Sequence, residues 1–213
     1  MWGDPGIAFA GRVPYWAPDP ESLFMAGMDE TRANAPETIV RDAALADAPA
    51  IARIGKVAIP DTYRDLIADE SVLSAIVAQS YAVDALERCI DLCARKTTAE
   101  FLVAAQGNSI VGFLHYDCEG PEPELHRIYV DPALKRHGIG SALIRELHRR
   151  LVAGASYTLM VVAANRPAIS FYERHGLVEA ARLDGVAYMQ ARMGVAFPPE
   201  TPQVPALILR FEV

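Results

Sequence analysis

Two short segments of the chain carry residue types and spacings that suit chemistry with a phosphorylated cofactor. The first is Ile128–Ser141, where an apolar strand pattern leads through basic side chains and two glycines into an apolar helix pattern. Small residues before a helix let the backbone approach a ligand closely, and the first N–H groups of that helix face outward toward an anion. The segment therefore predicts a diphosphate site, to which Ser141 adds a hydroxyl.

The second segment, Asn165–Leu177, has the pattern of a short helix with Pro167 near its start and Gly176 at its end. Tyr172 lies in the last turns of this helix, beside Phe171. The first segment lacks the third glycine of a Rossmann fingerprint and the Gly-Lys-Ser/Thr of a P-loop, which excludes both motifs. The two segments together indicate a transferase that uses a cofactor.

The elements that would position these segments follow a mixed order of helices and strands. Gly107-Asn108 between two apolar runs is a strong hairpin signal. The predicted fold class is α/β with a mixed α+β sheet, since the order lacks the regular alternation of a doubly wound fold. The predicted strands are 38–45, 100–106, 109–117, 124–130, 157–163, 178–183 and 206–213. The predicted helices run from Asp47, as the cap, to Pro60, where proline breaks the pattern, and then over 71–96, 139–152 and 167–175.

Length and composition indicate a globular domain. The 213 residues are 52% hydrophobic and 22% charged, which is ordinary for a soluble protein. No apolar run approaches the roughly 18–20 residues that a membrane span requires, and the first residues lack the basic start and apolar core of a secretory signal. We therefore expect a cytoplasmic protein that does not bind membranes.

Residues 1–37 form a predicted N-terminal extension, and residues 38–213 form the predicted domain. The extension is rich in Pro and Gly, but its aromatic residues are too numerous for a typical disordered tail. Two interpretations remain open: a segment that folds back or docks on a second subunit, and a flexible leader. More than half of the net charge of −7 comes from the extension. The domain is therefore nearly neutral, and no basic patch indicates nucleic-acid binding.

The three cysteines are too few and too irregular for a disulfide framework. Cys89 and Cys93 are four residues apart in a helical pattern, so they share a face. We interpret them as small buried hydrophobic residues, because no further ligand at suitable spacing completes a metal site. Cys118 as a nucleophile would need a base in reach, for which His115 and His126 are near in sequence. The sequence therefore predicts no metal.

The chain resembles the GCN5-related N-acetyltransferases (GNAT) over about residues 38–183. The resemblance rests on the strand and loop Leu125–Pro132, the helix start Gly138–Leu143 and the segment Asn165–Leu177. It implies the GNAT-type fold, which is a central, mostly antiparallel sheet with a parallel, splayed strand pair and flanking helices.

The resemblance also implies acetyl-CoA as the co-substrate, with its pantetheine arm on the backbone of Ile128–Val130. A backbone N–H near Val130 would polarise the thioester carbonyl, and Asn165 would bond the arm or hold the helix that follows it. Tyr172 would protonate the leaving CoA thiolate, since a phenol with a pKa of about 10 stays protonated near neutral pH; packing on the sheet is its alternative role. The implied coenzyme-binding residues are Ile128, Tyr129, Val130, Lys135, Arg136, His137, Gly138, Ile139, Gly140, Ser141, Asn165, Ala168 and Tyr172.

One residue of the glycine loop departs from the family pattern. Lys135 stands where the family usually has Gln or Arg. Lysine keeps the charge of arginine but loses its planar fork. The departure therefore affects the expected diphosphate contacts and leaves the resemblance itself intact.

The general base is open at this point. The resemblance implies a carboxylate near the start of the strand at 124–130, and Glu124 is the first choice, with Glu122 as the second. His126 has a suitable ordinary pKa near 6.5, and strict alternation would place it on one face with Glu124 and Ile128. The competing roles are a solvated turn for each carboxylate and a structural strand histidine for His126.

The predicted reaction is transfer of the acetyl group to a primary amine, of a small molecule or of a protein N-terminus, by direct attack. A covalent route would need Cys118. The acceptor is expected against residues 58–80, the loop after strand 109–117 and the C-terminal segment. Asp61, Asp65, Asp69 and Glu70 make the first of these regions acidic. A homodimer is a further expectation. The alternative function is a non-catalytic acetyl-CoA sensor that acts through a protein partner docked on residues 1–37.

Overall fold

The computed structural model describes residues 36–65, 70–96, 98–118, 122–193, 197 and 199–212. These residues form a seven-stranded sheet with the spatial order β1-β2-β3-β4-β5-β7-β6. The strands are β1 (Thr38–Asp42), β2 (Ala99–Gln106), β3 (Ser109–Asp117), β4 (Glu124–Val130), β5 (Ser156–Val162), β6 (Val178–Asp184) and β7 (Pro205–Glu212). In the described chain, β4 and β5 pair in parallel and the other neighbours pair antiparallel. The predicted mixed, mostly antiparallel sheet is confirmed.

Six helices flank the described sheet. They are α1 (Ala48–Tyr63), α2 (Glu70–Ser80), α3 (Val83–Ala94), α4 (Ile139–Arg150), α5 (Arg166–Arg174) and α6 (Gly185–Met193). Two short 3₁₀ turns, Leu45–Asp47 and Pro132–Leu134, precede α1 and follow β4. The apolar stripes of these helices have to be covered, and the two faces of the sheet cover them.

Each face of the sheet carries its own hydrophobic cluster. On one face, α1, α2, α3 and α6 pack over alternate residues of β2 and β3, with Phe113 fully buried. On the other face, α4 and α5 pack over the intervening residues, with Leu114 fully buried. Because successive strand residues point to opposite faces, the continuous apolar runs of β2 and β3 supply both clusters.

The parallel pair opens soon after it begins. The register pairs Glu124 of β4 with Thr158 of β5, and the Thr158 N–H donates to the Pro123 carbonyl at 2.9 Å. On its other side, β4 follows β3 up to Val130, with an irregularity that leaves His126 as the extra residue. A bulge of this kind bends a strand and increases its twist. β4 therefore diverges from β5 beyond Glu124, and a cleft separates them.

The bulge at His126 corrects one sequence expectation. Alternation placed His126 on the same face as Glu124 and Ile128. In the structure the His126 ring stacks on His115, with centroids 5.0 Å apart, whereas Ile128 packs in the cluster beneath α4 and α5. The extra residue shifts the phase of the strand by one, so the expectation for Ile128 was wrong.

The helix α1 begins directly after Asp47, as predicted, but it ends later than predicted and lacks the predicted capping hydrogen bond. Pro60 lies inside the helix, which continues to Tyr63. The bond that Pro60 cannot donate would end on the carbonyl of Lys56, which is an exposed residue. The Asp47 carboxylate does not cap α1; it accepts the Ala44 N–H at 2.8 Å and pairs with Arg41 at 2.7 Å. Asp47 therefore stabilises the turn before the helix.

Two further corrections concern helices. The predicted helix 71–96 is two helices, α2 and α3, because the chain becomes extended at Ala82. Tyr81, at the break, inserts its ring edge-on against Phe113 and Tyr129 at 6.1 and 6.3 Å. The helix α6 was not predicted, and β7 inserts between β5 and β6. Burial of an aromatic ring and long-range pairing overrode the local patterns.

Residues Glu37–Val213 group as one compact unit. The proposed extension, apart from its last two residues, lies outside the described residues, so the domain boundary at residue 37 stays a prediction. Among the described helices, none combines the length and the apolar character needed to cross a membrane.

Candidate functional site

A cavity of about 700 Å³ lies in the cleft between β4 and β5. The cavity is lined by β4 from Leu125 to Val130, by the loop that leads into α4, by one side of α5 and by the end of α1. Both segments identified in the sequence border this space, although Asn165 lies 37 positions after Ile128 along the chain. The divergence of the parallel strands is therefore what creates the site.

The loop before α4 presents free backbone N–H groups to the cavity. Gly138 adopts φ 78°, in the left-handed region, and no side chain caps the helix that starts at Ile139. The first bond within the helix is the Ala142 N–H to the Gly138 carbonyl at 2.9 Å. The N–H groups of residues 139–141 have no partner within the helix, because every α-helix leaves its first N–H groups unpaired. They form a site for negatively charged oxygen.

Close packing also favours glycine at position 140. A Cβ at position 140 would stand 3.3 Å from Cζ of Phe171 and 3.8 Å from Cγ2 of Val130. The absence of a side chain thus lets α5 approach the start of α4. This close approach brings the loop and α5 to the same cavity.

The three basic residues of the loop differ in whether they line the cavity and in what they contact. Lys135 lines the cavity, and its Nζ pairs with Asp61 of α1 at 2.5 Å. Arg136 also lines the cavity, and its backbone has φ 69°. His137 is not among the lining residues; its Nδ1 lies 3.0 Å from the Lys135 carbonyl oxygen. Arg136 is the loop cation best placed to reach an anion, while Lys135 bridges to α1.

Two predicted binding residues hold the α5 side of the site. The Asn165 side chain accepts the Ala168 N–H at 3.3 Å and so caps α5, and both residues line the cavity. The Ser141 hydroxyl lies 3.0 Å from Nε2 of His175. Asn165 orients α5, and Ser141 joins α4 to the residue that follows α5.

Tyr172 faces the same cavity from α5. Its ring packs edge-on against Phe171 at 5.3 Å, and Phe171 in turn packs among the buried residues beneath α4. Burial raises the pKa of the Tyr172 phenol above its ordinary value, and the nearby Tyr63 adds to the shift. The phenol is therefore fully protonated at neutral pH, as a proton donor must be.

Glu124, the first choice for the base, is occupied elsewhere. Its side chain is buried, with the residue 5% exposed, and it is not among the cavity-lining residues. The Tyr188 hydroxyl donates to Oε1 at 2.7 Å, and Arg192 donates to Oε2 through Nε at 3.0 Å and through Nη2. Glu122, the second choice, is exposed and pairs with Arg210 at 3.0 Å. Both carboxylates are engaged by donors of α6 or β7.

His126 is the titratable candidate that does line the cavity. Its Nε2 lies 2.8 Å from Oδ2 of Asp117, and its Nδ1 lies 3.7 Å from Oε1 of Glu124. Burial, with a contribution from His115, lowers the pKa of His126 below its ordinary value. The imidazole is therefore neutral near pH 7, and the carboxylate of Asp117 holds its orientation.

Several residues of this region carried no signal in the sequence. Tyr63 of α1 and Tyr129 of β4 both line the cavity. Tyr188 and Arg192 reach Glu124 from α6, a helix that was itself missed. Each of these pairs consists of residues more than 60 positions apart, so no local pattern could reveal it.

Comparisons with known proteins agree with this architecture. Residues 97–179 match the family model described as acetyltransferase (GNAT) domain. An uncharacterized N-acetyltransferase of Methanocaldococcus jannaschii is 33% identical in an alignment of 107 residues, which covers 44% of this chain and 45% of that protein. The match thus extends over less than half of the relative's length.

Solved structures share the fold at low sequence identity. The PaiA N-acetyltransferase of Thermoplasma acidophilum, solved in complex with coenzyme A, superposes with a TM-score of 0.66 at 18% identity, over 83% of this chain and 99% of that one. The ribosomal-protein-S18-alanine N-acetyltransferase of Escherichia coli gives a TM-score of 0.56 at 22% identity, over 83% of this chain and 94% of that one. With its mostly antiparallel sheet and the match of residues 97–179 to the acetyltransferase (GNAT) domain, this chain is similar to the GCN5-related N-acetyltransferases.

Proposed function

We propose that the chain is an acetyl-CoA-dependent N-acetyltransferase that transfers the acetyl group to a primary amine by direct attack. The observation that carries the proposal is the single cavity shared by the N–H groups at the start of α4, the diverging edge of β4 and the phenol of Tyr172. The coenzyme A in the Thermoplasma relative supports the choice of donor.

The cavity has features that fit each part of acetyl-CoA. The N–H groups of residues 139–141, with Arg136 beside them, suit the diphosphate. Residues Ile128–Val130 line the cavity on the side where β4 has left β5, so their backbone groups can pair with the amides of the pantetheine arm. The thioester would then lie near Val130, where a backbone N–H stabilises the developing negative oxygen. Removal of such a donor costs about 2.7–4 kcal/mol in known enzymes.

Two side chains, Tyr172 and His126, each carry out one of the two proton transfers of the proposed reaction. As the amine nitrogen bonds to the carbonyl carbon and the C–S bond breaks, the Tyr172 hydroxyl gives its proton to the leaving sulfur. The proton of the attacking amine goes to His126. With Nε2 donating to Asp117, Nδ1 is the basic nitrogen of His126. No group of the protein becomes acylated on this route.

The contacts of Glu124 support His126 as the base. A carboxylate that already accepts from a phenol and a guanidinium has few lone pairs left for an amine. Glu124 Oε1 is 3.7 Å from Nδ1 of His126, so it can stabilise the imidazolium that forms.

The acceptor enters from the end of α1. Ala58, Thr62 and Tyr63 line that side of the cavity. A small amine or a flexible protein N-terminus fits an opening of this kind. Of the acidic residues expected there, Asp61 is paired with Lys135, Asp65 and Glu70 are exposed, and Asp69 lies outside the described residues.

The test is CoA release from acetyl-CoA, followed with a thiol reagent, over a panel of primary amines. We expect the full chain to turn over and Tyr172→Phe to be slower by about 10²–10⁴-fold at unchanged acetyl-CoA affinity in calorimetry. Tyr157→Phe is the matched control, because it removes a buried phenol that bonds to His148 outside the cavity. Equal rates for Tyr172→Phe and wild type would remove Tyr172 from the mechanism.

The same experiment separates the enzyme from the sensor. Acetyl-CoA binding without turnover of any amine would contradict the enzyme and support a sensor that acts through a partner. Absence of binding would contradict both.

A further inference from the structure

The fold brings two thiols and an imidazole together outside the acetyl-CoA cavity. Cys89 and Cys93 lie on one face of α3, and His115 faces them from β3. One donor atom of each lies within 4.8 Å of the other two, and Cys89 Sγ is 3.5 Å from His115 Nε2. None of the three lines the cavity. The sequence predicted no metal because it showed two ligands, and the sheet supplies the third.

The separation of Cys89 Sγ from His115 Nε2 matches that of two ligands in a tetrahedral metal centre. Zinc–sulfur bonds of about 2.3 Å and zinc–nitrogen bonds of about 2.0–2.1 Å place the two donors about 3.6 Å apart at a tetrahedral angle. Two thiolates and an imidazole are the donor set that zinc and its tetrahedral analogues prefer. We propose that Cys89, Cys93 and His115 bind a single zinc-class ion that clamps α3 to β3.

The surroundings of the three side chains suit a bound ion. Cys93 and His115 are 8% and 7% exposed, and the Phe101 ring stacks on His115 with centroids 5.1 Å apart. Such apolar walls exclude water and strengthen metal–ligand interactions. Cys89 is only partly buried, which leaves a path for the ion. Asp117 Oδ2, 3.7 Å from His115 Nε2, stands beside the fourth position, where it can hold a metal-bound water.

A catalytic cysteine is the competing use of the same residues. A nucleophile–histidine–acid triad places the thiol and the carboxylate on opposite ring nitrogens. In this structure, Cys89 Sγ and Asp117 Oδ2 both lie nearest to the same ring nitrogen, Nε2 of His115. Donors gathered around one point favour a metal over a triad.

Cobalt is the probe for this site, since tetrahedral Co²⁺ bound to thiolate absorbs strongly in the near ultraviolet and the visible. The full chain, reduced and stripped with a chelator, is titrated with Co²⁺ and then with Zn²⁺. We expect thiolate–cobalt bands that saturate at a single ion per chain and disappear as Zn²⁺ displaces the cobalt. Absence of these bands would overturn the proposal.

Variants locate the ion. Cys89→Ser and Cys93→Ser should each lower the cobalt affinity by at least about 100-fold, and His115→Gln should do the same while leaving the thiols in place. Cys118→Ser is the matched control, because Cys118 is also partly buried but lies against Tyr116 at 3.1 Å, outside the cluster. Equal loss in Cys118→Ser would contradict the assignment. Circular dichroism shows whether each variant is folded. For Cys93→Ser, the spectrum of the metal-free protein distinguishes loss of a metal-binding side chain from loss of the fold.

This inference goes beyond the proposed acetyl transfer and does not depend on it. The cobalt spectrum is read without any acyl donor, so its failure leaves the acetyltransferase proposal untouched.

Discussion

The two ends of the cavity are built in different ways. The loop end, which comprises residues 130–141 and α5, consists of two continuous segments that line the cavity. The base end, which comprises the start of β4 with Asp117 and α6, depends on side chains from distant parts of the chain. In the proposed reaction, the loop end would bind the part of acetyl-CoA that is constant, and the base end would face the acceptor.

In the proposed reaction, this difference lets one fold serve many acceptors. Backbone N–H groups at a helix start are present whatever the side chains are, so the loop end tolerates substitution as long as its glycines remain. The pairs His126–Asp117 and Glu124–Arg192 require particular side chains. Mutations at the base end should therefore affect catalysis and stability, and mutations at the loop end should affect coenzyme affinity.

The largest expected effect is at His126. His126→Ala removes the proposed base and should lower kcat by about 10²–10⁴-fold, while the calorimetric affinity for acetyl-CoA stays unchanged because the loop end is intact. His148→Ala is the control, since His148 is a partly buried histidine that stacks on Phe211 away from the cavity. If Glu124→Gln is folded and is as slow as His126→Ala, the carboxylate is the base and our assignment is wrong.

The next effect is on stability at the base end. Arg192→Ala leaves the buried Glu124 carboxylate without its guanidinium. Because Arg192 itself is exposed and Tyr188 still donates to Glu124, we expect a cost of about 2 kcal/mol, which is less than that of a fully buried pair. Urea denaturation should show this decrease in the free energy of unfolding. Arg182→Ala is the control, because its pair with Glu179 at 2.7 Å is exposed and should contribute less than about 1 kcal/mol. An equal, small loss in both variants would show that α6 does not depend on this pair.

The third prediction concerns the loop end. Gly138→Ala places a Cβ at φ 78° and should cost about 1 kcal/mol of stability. Because relaxation of that strain turns the N–H groups away from the cavity, acetyl-CoA affinity should fall about tenfold, a loss of about 1.4 kcal/mol. Gly154→Ala is matched to it, with φ 81° and equally open space, but it lies between α4 and β5. Calorimetry that finds the same weakening in both variants would contradict a specific role for Gly138.

The smallest expected effect is on the free energy of unfolding, from the ion pairs of Glu146 in α4. Arg149, together with Arg150, lowers the pKa of Glu146 to about 2. Because the folded pKa is below the unfolded one, this stabilisation is fully present above about pH 4.3, the ordinary value for Glu, and disappears as the pH falls toward 2. The difference in unfolding free energy between wild type and Glu146→Gln should therefore be present at pH 7 and shrink at pH 3, at unchanged acetyl-CoA affinity. A difference that is constant with pH would show that the ion pairs contribute nothing.

Local signals predicted the parts of the structure that short-range physics decides. The hairpin at Gly107-Asn108 and the strand Glu124–Val130 form as expected, because turn chemistry and side-chain alternation act over a few residues. The helices α4 and α5 begin within one residue of their predicted starts. Patterns failed where a distant residue decided the outcome, as at Tyr81, which ends α2 by burying its ring against β3 and β4.

The chemistry of the site divides along the same line. The sequence alone determined the glycine loop, the capping Asn165 and the position of Tyr172, because each depends on a helix start or a helix face. Only the tertiary structure decided that Arg192 engages Glu124, that a bulge aims His126 at the cavity, and that His115 meets Cys89 and Cys93. The physical reason is that hydrogen bonds and metal ligation act over a few ångströms in space, and the chain brings their partners together only after both faces of the sheet are covered.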